Sequence, residues 1–240
     1  MHRIDMDLQQ RIEQTDWKEI AESLNNKGYA TVPQILSADE CDGLRHQYGD
    51  DTLYRKTIVM ENHGYGMGQY KYYNYPLPGI VEGLRRMIYP NIAPVANNWM
   101  QALGIAKTFP GTLKELTELC HAHAQNRPTP LILKYGKGGY NAMHQDLYGE
   151  IFFPMQLVVC LNQPGQDFEG GEFVLIEQRP RMQSKAIVLN PGKGDMLIFT
   201  TNFRPAKGSK GYHRVNMRHG VSELSGGERH TLGVIFHDAS

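Results

Sequence analysis

Leu131-Ile132-Leu133-Lys134-Tyr135, then Gly136-Lys137-Gly138-Gly139, then Tyr140-Asn141-Ala142-Met143-His144-Gln145-Asp146 is the stretch on which the fold turns. Leu131 to Tyr135 reads as a short apolar strand. The glycines at 136, 138 and 139 make a turn, and a second strand runs on through Met143 to Asp146. The cadence continues downstream. Residues 152–161 form a longer apolar run suited to burial on both faces. Gly170-Gly171 opens a strand over 172–176, and further strands follow at 186–189, 195–200, 212–221 and 229–236. Short strands at such regular spacing predict an all-β sandwich or jelly roll.

Upstream the pattern changes to helical. Leu8, Ile12, Trp17, Ile20, Ala21 and Leu24 recur at three- and four-residue spacing, predicting one helix that ends at Gly28. Residues 29–33 read as a strand, and Ser37 or Asp39 caps a second helix through Leu44 and Tyr48. Tyr54, Tyr65, Tyr70, Tyr72, Tyr73 and Tyr75 fit a strand face and a helix–sheet junction; stacking on nucleobases is their other use. Residues 79–126 read as helices interrupted near Pro90, Pro94 and Pro110. The expected architecture is α+β with a mainly β core. Residues 1–126 form a helical and strand extension packed on a jelly-roll core over 127–240.

Composition narrows the class. The chain has 240 residues, 40% of them hydrophobic, enough for a sizeable core and against whole-chain disorder. No apolar run reaches the 18 or so residues of a membrane span, and the first residues lack a secretory apolar stretch. Cys41, Cys120 and Cys160 are too scattered for a disulfide framework or a thiolate zinc site, so a cytoplasmic protein is expected. The 25 Lys and Arg balance the 25 Asp and Glu. Locally they do not: no acid lies between Asp195 and Glu223, whereas Arg204, Lys207, Lys210, Arg214 and Arg218 do.

Within this frame, His144-Gln145-Asp146 places two ligand-capable side chains two residues apart, on one face of an extended strand. A second histidine from a distant strand would complete a two-histidine, one-carboxylate set and leave three octahedral positions open, as oxygen activation at non-haem Fe(II) requires. His219 supplies it. Ten residues later Arg229 begins the next strand, after a turn at Gly226-Gly227, with Thr231 on the same face. A guanidinium with a neighbouring hydroxyl suits one end of a dicarboxylate. His213 has the same strand parity as His219, but the ten-residue spacing to Arg229 favours His219.

These fragments resemble the Fe(II)/2-oxoglutarate-dependent dioxygenase superfamily: His-x-Asp, a distal His, and an Arg on the following strand. The resemblance covers residues 131–237. It implies a double-stranded β-helix of cupin-like type, with His144, Asp146 and His219 as metal ligands and Arg229 and Thr231 as the 2-oxoglutarate anchor. Tyr135 would donate to a 2-oxoglutarate carboxylate. Fe(II), 2-oxoglutarate and dioxygen are the implied cofactor and cosubstrates, with succinate and CO2 as products. Arg127-Pro128-Thr129-Pro130, residues 144–150, residues 177–181 and residues 218–222 also resemble a bacterial branch grouped as nucleic-acid-modifying oxygenases.

The reaction so implied is hydroxylation or oxidative demethylation, with a nucleic-acid base as one substrate class. Arg204 and Arg218 are the candidate substrate contacts, with Tyr140, Asn141 and Tyr148 around the His-x-Asp turn; pairing with Glu169, Glu172, Glu177 and Glu223, to stabilise loops, is the other use of the arginines. The alternatives are a prolyl-type protein hydroxylase of the same superfamily and a catalytically silent metal-binding recognition module. No membrane partner is expected, and the sequence sets no oligomeric state.

Overall fold

The computed structural model describes residues 7–147, 149–209 and 211–240. Its helices are α1 (Leu8–Glu13), α2 (Trp17–Lys27), α3 (Ala38–His46), α4 (Gly79–Ala102) and α5 (Leu113–Ala122). Its strands are β1 (Tyr29–Val32), β2 (Tyr54–Val59), β3 (Gly66–Met67), β4 (Gln69–Tyr73), β5 (Leu131–Tyr135), β6 (Tyr140–His144), β7 (Met155–Cys160) and β8 (Phe168–Gly170). The remainder are β9 (Phe173–Gln178), β10 (Lys185–Leu189), β11 (Met196–Thr200), β12 (Phe203–Gly208), β13 (Gly211–Val221), β14 (Leu224–Gly227) and β15 (Arg229–Ile235).

Two antiparallel sheets face each other as a jelly roll. The larger has the order β1-β11-β7-β15-β5-β4-β2 and the smaller β10-β9-β13-β6-β3, with β12 paired to β13. Phe173 and Met217 of the small sheet pack against Leu197 and Phe199 of the large one, closing one end of the space between them. The opposite face of the large sheet carries Ile132, Leu157, Leu232 and Val234. These are buried against α4 through Leu84, Ile88, Ile92 and Trp99. Period-two alternation thus gives the central strands two buried faces, one toward helices and one toward the interior. The first half of the chain is no separate layer, because β1, β2, β3 and β4 extend both sheets.

Several local expectations are corrected. The helix expected from Leu8 to Leu24 is two helices, because the Asp16 carboxylate accepts from the backbone N–H groups of Lys18 and Glu19 and starts α2 afresh. Conversely α4 runs unbroken through Pro90 and Pro94. Eleven of its residues are buried, and this packing outweighs the two lost backbone hydrogen bonds. Strand β12 adds to the expected set, and its Pro205 is tolerated since β12 pairs on one side only. Strand β6 ends at His144, so Gln145 and Asp146 lie beyond it rather than within it.

A polar clamp ties the helices to the sheet. Arg85 of α4 is fully buried; its Nε donates to Ile235 O (3.2 Å) and its Nη2 to Phe236 O (2.8 Å) and Asp238 Oδ1 (2.6 Å). Its Nη1 donates to Tyr75 Oη (2.7 Å), whose hydroxyl in turn donates to Asp238. His121 Nε2 completes the Asp238 shell at 3.1 Å. Each polar group meets a partner, the condition under which a buried ion pair is tolerated.

Candidate active site

Antiparallel pairing of β6 with β13 sets His144 opposite His219, with ring centroids 4.2 Å apart. Gly220 permits this approach, since a Cβ there would stand 2.6 Å from Asn141 O. Asp146, two residues past His144, turns back so that Oδ2 lies 3.1 Å from His219 Nε2 and Oδ1 lies 3.6 Å from His144 Nε2. One ligand atom from each of the three lies within 4.8 Å of the others. His144 Nδ1 donates to Ala142 O at 2.7 Å, which fixes the tautomer and leaves Nε2 for a metal.

Because Asp146 has left the strand, side chains hold its segment in place. Gln145 Nε2 donates to Met217 O (2.8 Å) and to Asn202. From β7 of the opposite sheet, Gln156 Nε2 donates to Asp146 Oδ2 (2.7 Å) and lies 3.1 Å from His219 Nε2. Burial alone would raise the Asp146 carboxyl. Hydrogen bonding and charge from His219, then His144 and the Gln156 amide, hold it well below the usual carboxylate range. Burial and the neighbouring His219 lower His144, keeping a neutral, ligand-ready imidazole.

The three residues of the expected cosubstrate anchor converge at the other end of the same cavity. Arg229 pairs with Tyr135 across β15 and β5, and Thr231 follows on the same face. All three are buried. Arg229 Nε and Nη1, Tyr135 Oη and Thr231 Oγ1 have no hydrogen-bond partner of proper geometry. Burial pushes the Tyr135 hydroxyl up to about 12, while the Arg229 charge and the neighbouring Asn141 amide pull the other way, so it stays a donor at neutral pH. Leaving such donors unmet costs about 1–3 kcal/mol each, more for a charge. A buried cation beside two free hydroxyls is therefore the complement of a carboxylate. Gly171 makes room for it: its φ is +64°, and a Cβ would come within 3.2 Å of Arg229 Cδ.

The cavity has a volume of about 550 Å³ and is lined at one end by Arg229, Thr231 and Tyr135 and in the middle by His144, Asp146, His219 and Gln156. Asn141 also lines it. Tyr140 is exposed and outside the lining, and Tyr148 lies outside the described residues. Arg204 is corrected outright as a substrate contact: it is buried, and Nη2 binds Glu177 Oε2 at 2.7 Å. Arg218 is exposed, alternates with His219 along β13 and therefore points to the outer face of the small sheet. His213 pairs with Ala206 on β12, outside the triad.

Sequence reasoning missed Gln156, Ile58 and Gly233; Tyr70 and Tyr72, expected on a strand face with base stacking as their other use, also line the cavity. The signal for Gln156 was available: it is the one polar residue in the run Met155–Leu161 that lies in β7.

Comparison with known proteins bears on the family and the fold. The sequence model of the Oxygenase-NA family, described as an oxygenase catalysing oxidative methylation of damaged DNA, matches residues 68–239. Two Mycobacterium tuberculosis proteins, MT2286 and Rv2227, are each 45% identical over 165 residues, covering 69% of this chain and 71% of theirs. Among solved structures, a Pseudomonas putida prolyl-4-hydroxylase superposes with a TM-score of 0.54 at 13% identity, covering 93% of this chain and 100% of that one. A Trichoplax adhaerens prolyl hydroxylase gives 0.57 at 14% identity over 95% of this chain and 91% of its own. At such identities the likeness is one of fold.

Proposed function

The chain belongs to the Oxygenase-NA family and is an Fe(II)/2-oxoglutarate-dependent dioxygenase, and from there we propose that the group it oxidises is a methyl on a nucleic-acid base. One observation carries the dioxygenase part of the reading: a two-histidine, one-carboxylate set shares a single cavity with a buried guanidinium and two hydroxyls left unpaired. The donor set fits Fe(II), since two imidazole nitrogens and a carboxylate oxygen leave positions for exogenous ligands. His144, Asp146 and His219 would hold the metal. Arg229, Thr231 and Tyr135 would hold the far carboxylate of 2-oxoglutarate through charge-assisted hydrogen bonds.

When bound, iron supplies the electron chemistry by which dioxygen is activated and 2-oxoglutarate loses CO2 to become succinate. One oxygen atom enters succinate and the other the substrate, so that a methyl becomes hydroxymethyl; on nitrogen this group then leaves as formaldehyde. The chain's own part is geometric. Ala142 O orients His144, Gln156 steadies Asp146, and Arg229 aligns the cosubstrate along the cavity.

The nucleic-acid reading draws its support from the family description of damaged DNA as substrate. Protein hydroxylation is its rival within the superfamily. Product mass spectrometry on the iron-loaded protein with methylated single-stranded DNA, tRNA and peptide pools tests it. Methyl loss or oxygen gain on a nucleoside, coupled to succinate release, is expected. Hydroxylated peptide with unchanged nucleic acid would overturn the reading.

A further inference from the structure

The small sheet has a second face, turned away from the cavity. Helices cover the corresponding face of the large sheet, but here Val188 of β10 is 62% exposed. Strand parity decides what this face presents. Met217 and His219 of β13 point inward, so Tyr212, Arg214, Asn216 and Arg218 point outward, and all four are exposed. Register extends the face to both sides. Lys207 of β12 lies opposite Tyr212, Ile176 of β9 opposite Arg218, and Ala186 of β10 opposite Ile176.

The basic, acid-free segment after Asp195 is thus divided between two environments. Arg204 points inward and is neutralised by Glu177, which also holds Arg179. Lys207, Arg214 and Arg218 point outward, and none of them forms an ion pair among the described residues. The outward residues of β9, β10, β12 and β13 include no carboxylate. Glu172, just ahead of β9 on the same parity, is engaged by the Ser222 hydroxyl. Arg214 rests over the Phe203 ring at 4.2 Å, so packing restrains where its charge sits. Three unneutralised cations side by side repel one another, and a chain of zero net charge does not need them for solubility.

Their spacing has a use. Alternate residues of a strand stand about 6.6–6.8 Å apart, so the positions of Lys207 with Tyr212, Arg214, Asn216 and Arg218 form a row of donors about 20 Å long. This repeat is close to that of successive phosphates along an extended single strand. Tyr212, 54% exposed at one end of the row, offers a ring on which a base stacks, a contact that an acidic peptide would not use. The other end adjoins the metal site, because Arg218 precedes His219. From there β6 and β3 lead to the sheet edge about 10 Å away, where the exposed His63 and Tyr65 line the cavity.

We propose that the outer face of the small sheet holds the phosphate backbone of a single-stranded nucleic acid through Lys207, Arg214 and Arg218, with Tyr212 stacked on a base, while a neighbouring nucleotide enters the cavity over the β3 edge. The proposal rests on the nucleic-acid reading above and deepens it. Its test is the binding of a fluorescent, unmodified oligothymidylate to the intact protein, followed by anisotropy across a salt series. Lys207→Gln, Arg214→Gln and Arg218→Gln combined should weaken binding at least about 30-fold at low salt. They should also flatten the slope of log affinity against log salt by about 2, as the loss of three phosphate contacts requires. The unfolding midpoint should stay at the wild-type value, since all three side chains are exposed. Arg214→Lys with Arg218→Lys keeps the charge and should keep the wild-type slope. Tyr212→Ala should cost at least about five-fold in affinity with the slope unchanged. No binding by the wild type, or equal affinity and slope in the wild type and the triple variant, overturns the surface and leaves the nucleic-acid reading to its product assay. Displacement of the oligonucleotide by polyglutamate of equal charge at equal concentration assigns the face to acidic peptides and likewise overturns it. Oxidised peptide with neither binding nor oxidation of any oligonucleotide overturns both.

Discussion

Arg85 and Arg229 are both buried arginines against the same sheet, and they differ in what surrounds them. Every nitrogen of Arg85 donates to the sheet, to Tyr75 or to Asp238. Arg229, on the other face, keeps Nε and Nη1 without partners beside two equally unmet hydroxyls. Folding cannot account for an unmet buried guanidinium, because the same sequence shows at Arg85 how one is satisfied. The difference separates a charge that holds the protein together from one kept in reserve for a ligand.

The sharpest division between the two sites comes from the triad. Asp146→Ala or His144→Ala should lower 2-oxoglutarate-dependent succinate release at least ~10³-fold, about 4 kcal/mol of barrier, with little change in the unfolding midpoint. Succinate release at the wild-type rate from metal-controlled protein would refute the ligand assignment. Arg85→Met should act oppositely, leaving Asp238 buried without its cation and destabilising the fold by about 3–5 kcal/mol in urea unfolding. A loss under 1 kcal/mol would break the contrast.

Arg229→Met is the mirror experiment. The apo protein should lose no stability, since an uncompensated charge is removed, while KM for 2-oxoglutarate rises about 100-fold, equivalent to roughly 2.7 kcal/mol. In thermal unfolding, 2-oxoglutarate with Mn(II) should raise the midpoint of the wild type by mass action but barely that of the variant. Equal ligand-induced shifts in both proteins would remove Arg229 from the anchor.

A last effect is that of pH. Burial, then the Arg85 charge, pushes His237 down to about 3, and its Nδ1 accepts the Phe153 N–H at 3.1 Å. Burial likewise takes His230 to about 4. Below the ordinary value near 6.5 the unfolded chain binds protons that the folded chain refuses, so stability falls with pH from there toward 4. Each histidine contributes at most about 1.4 kcal/mol per pH unit. Unfolding midpoints at pH 7 and pH 5 check this; equal midpoints would contradict it.

What the sequence disclosed and withheld follows from how local each signal is. His144 and Asp146 are two residues apart, and His219 and Arg229 are ten apart, so spacing exposed them, although the expected simple turn between their strands proves to contain the short strand β14, and β13 and β15 lie in opposite sheets. For Arg204 the sequence left substrate contact and pairing with Glu177 both open, because the two lie 27 positions apart and an acid-free stretch looks exposed when its counter-charge is supplied from another strand; the structure shows the pairing. Tyr70 and Tyr72 stood out as aromatic strand residues, but the cavity wall they belong to did not, for the same reason. It is assembled by β2, β4, β5 and β15, and no single segment of it resembles a binding motif. The proline-bearing helix α4 held together through contacts, which a reading of local propensity does not weigh.

Strand β15 comes after all the other described strands in chain order, yet it sits between β7 and β5 and carries Arg229, Thr231 and Gly233. On the ribosome, β7 must therefore wait with an open edge for about seventy residues of further synthesis and β5 for about ninety, a span in which unpaired strands invite wrong partners. The ligand pocket and the middle of the sheet come into being together, so a nascent chain of this protein cannot hold its cosubstrate before its architecture is complete.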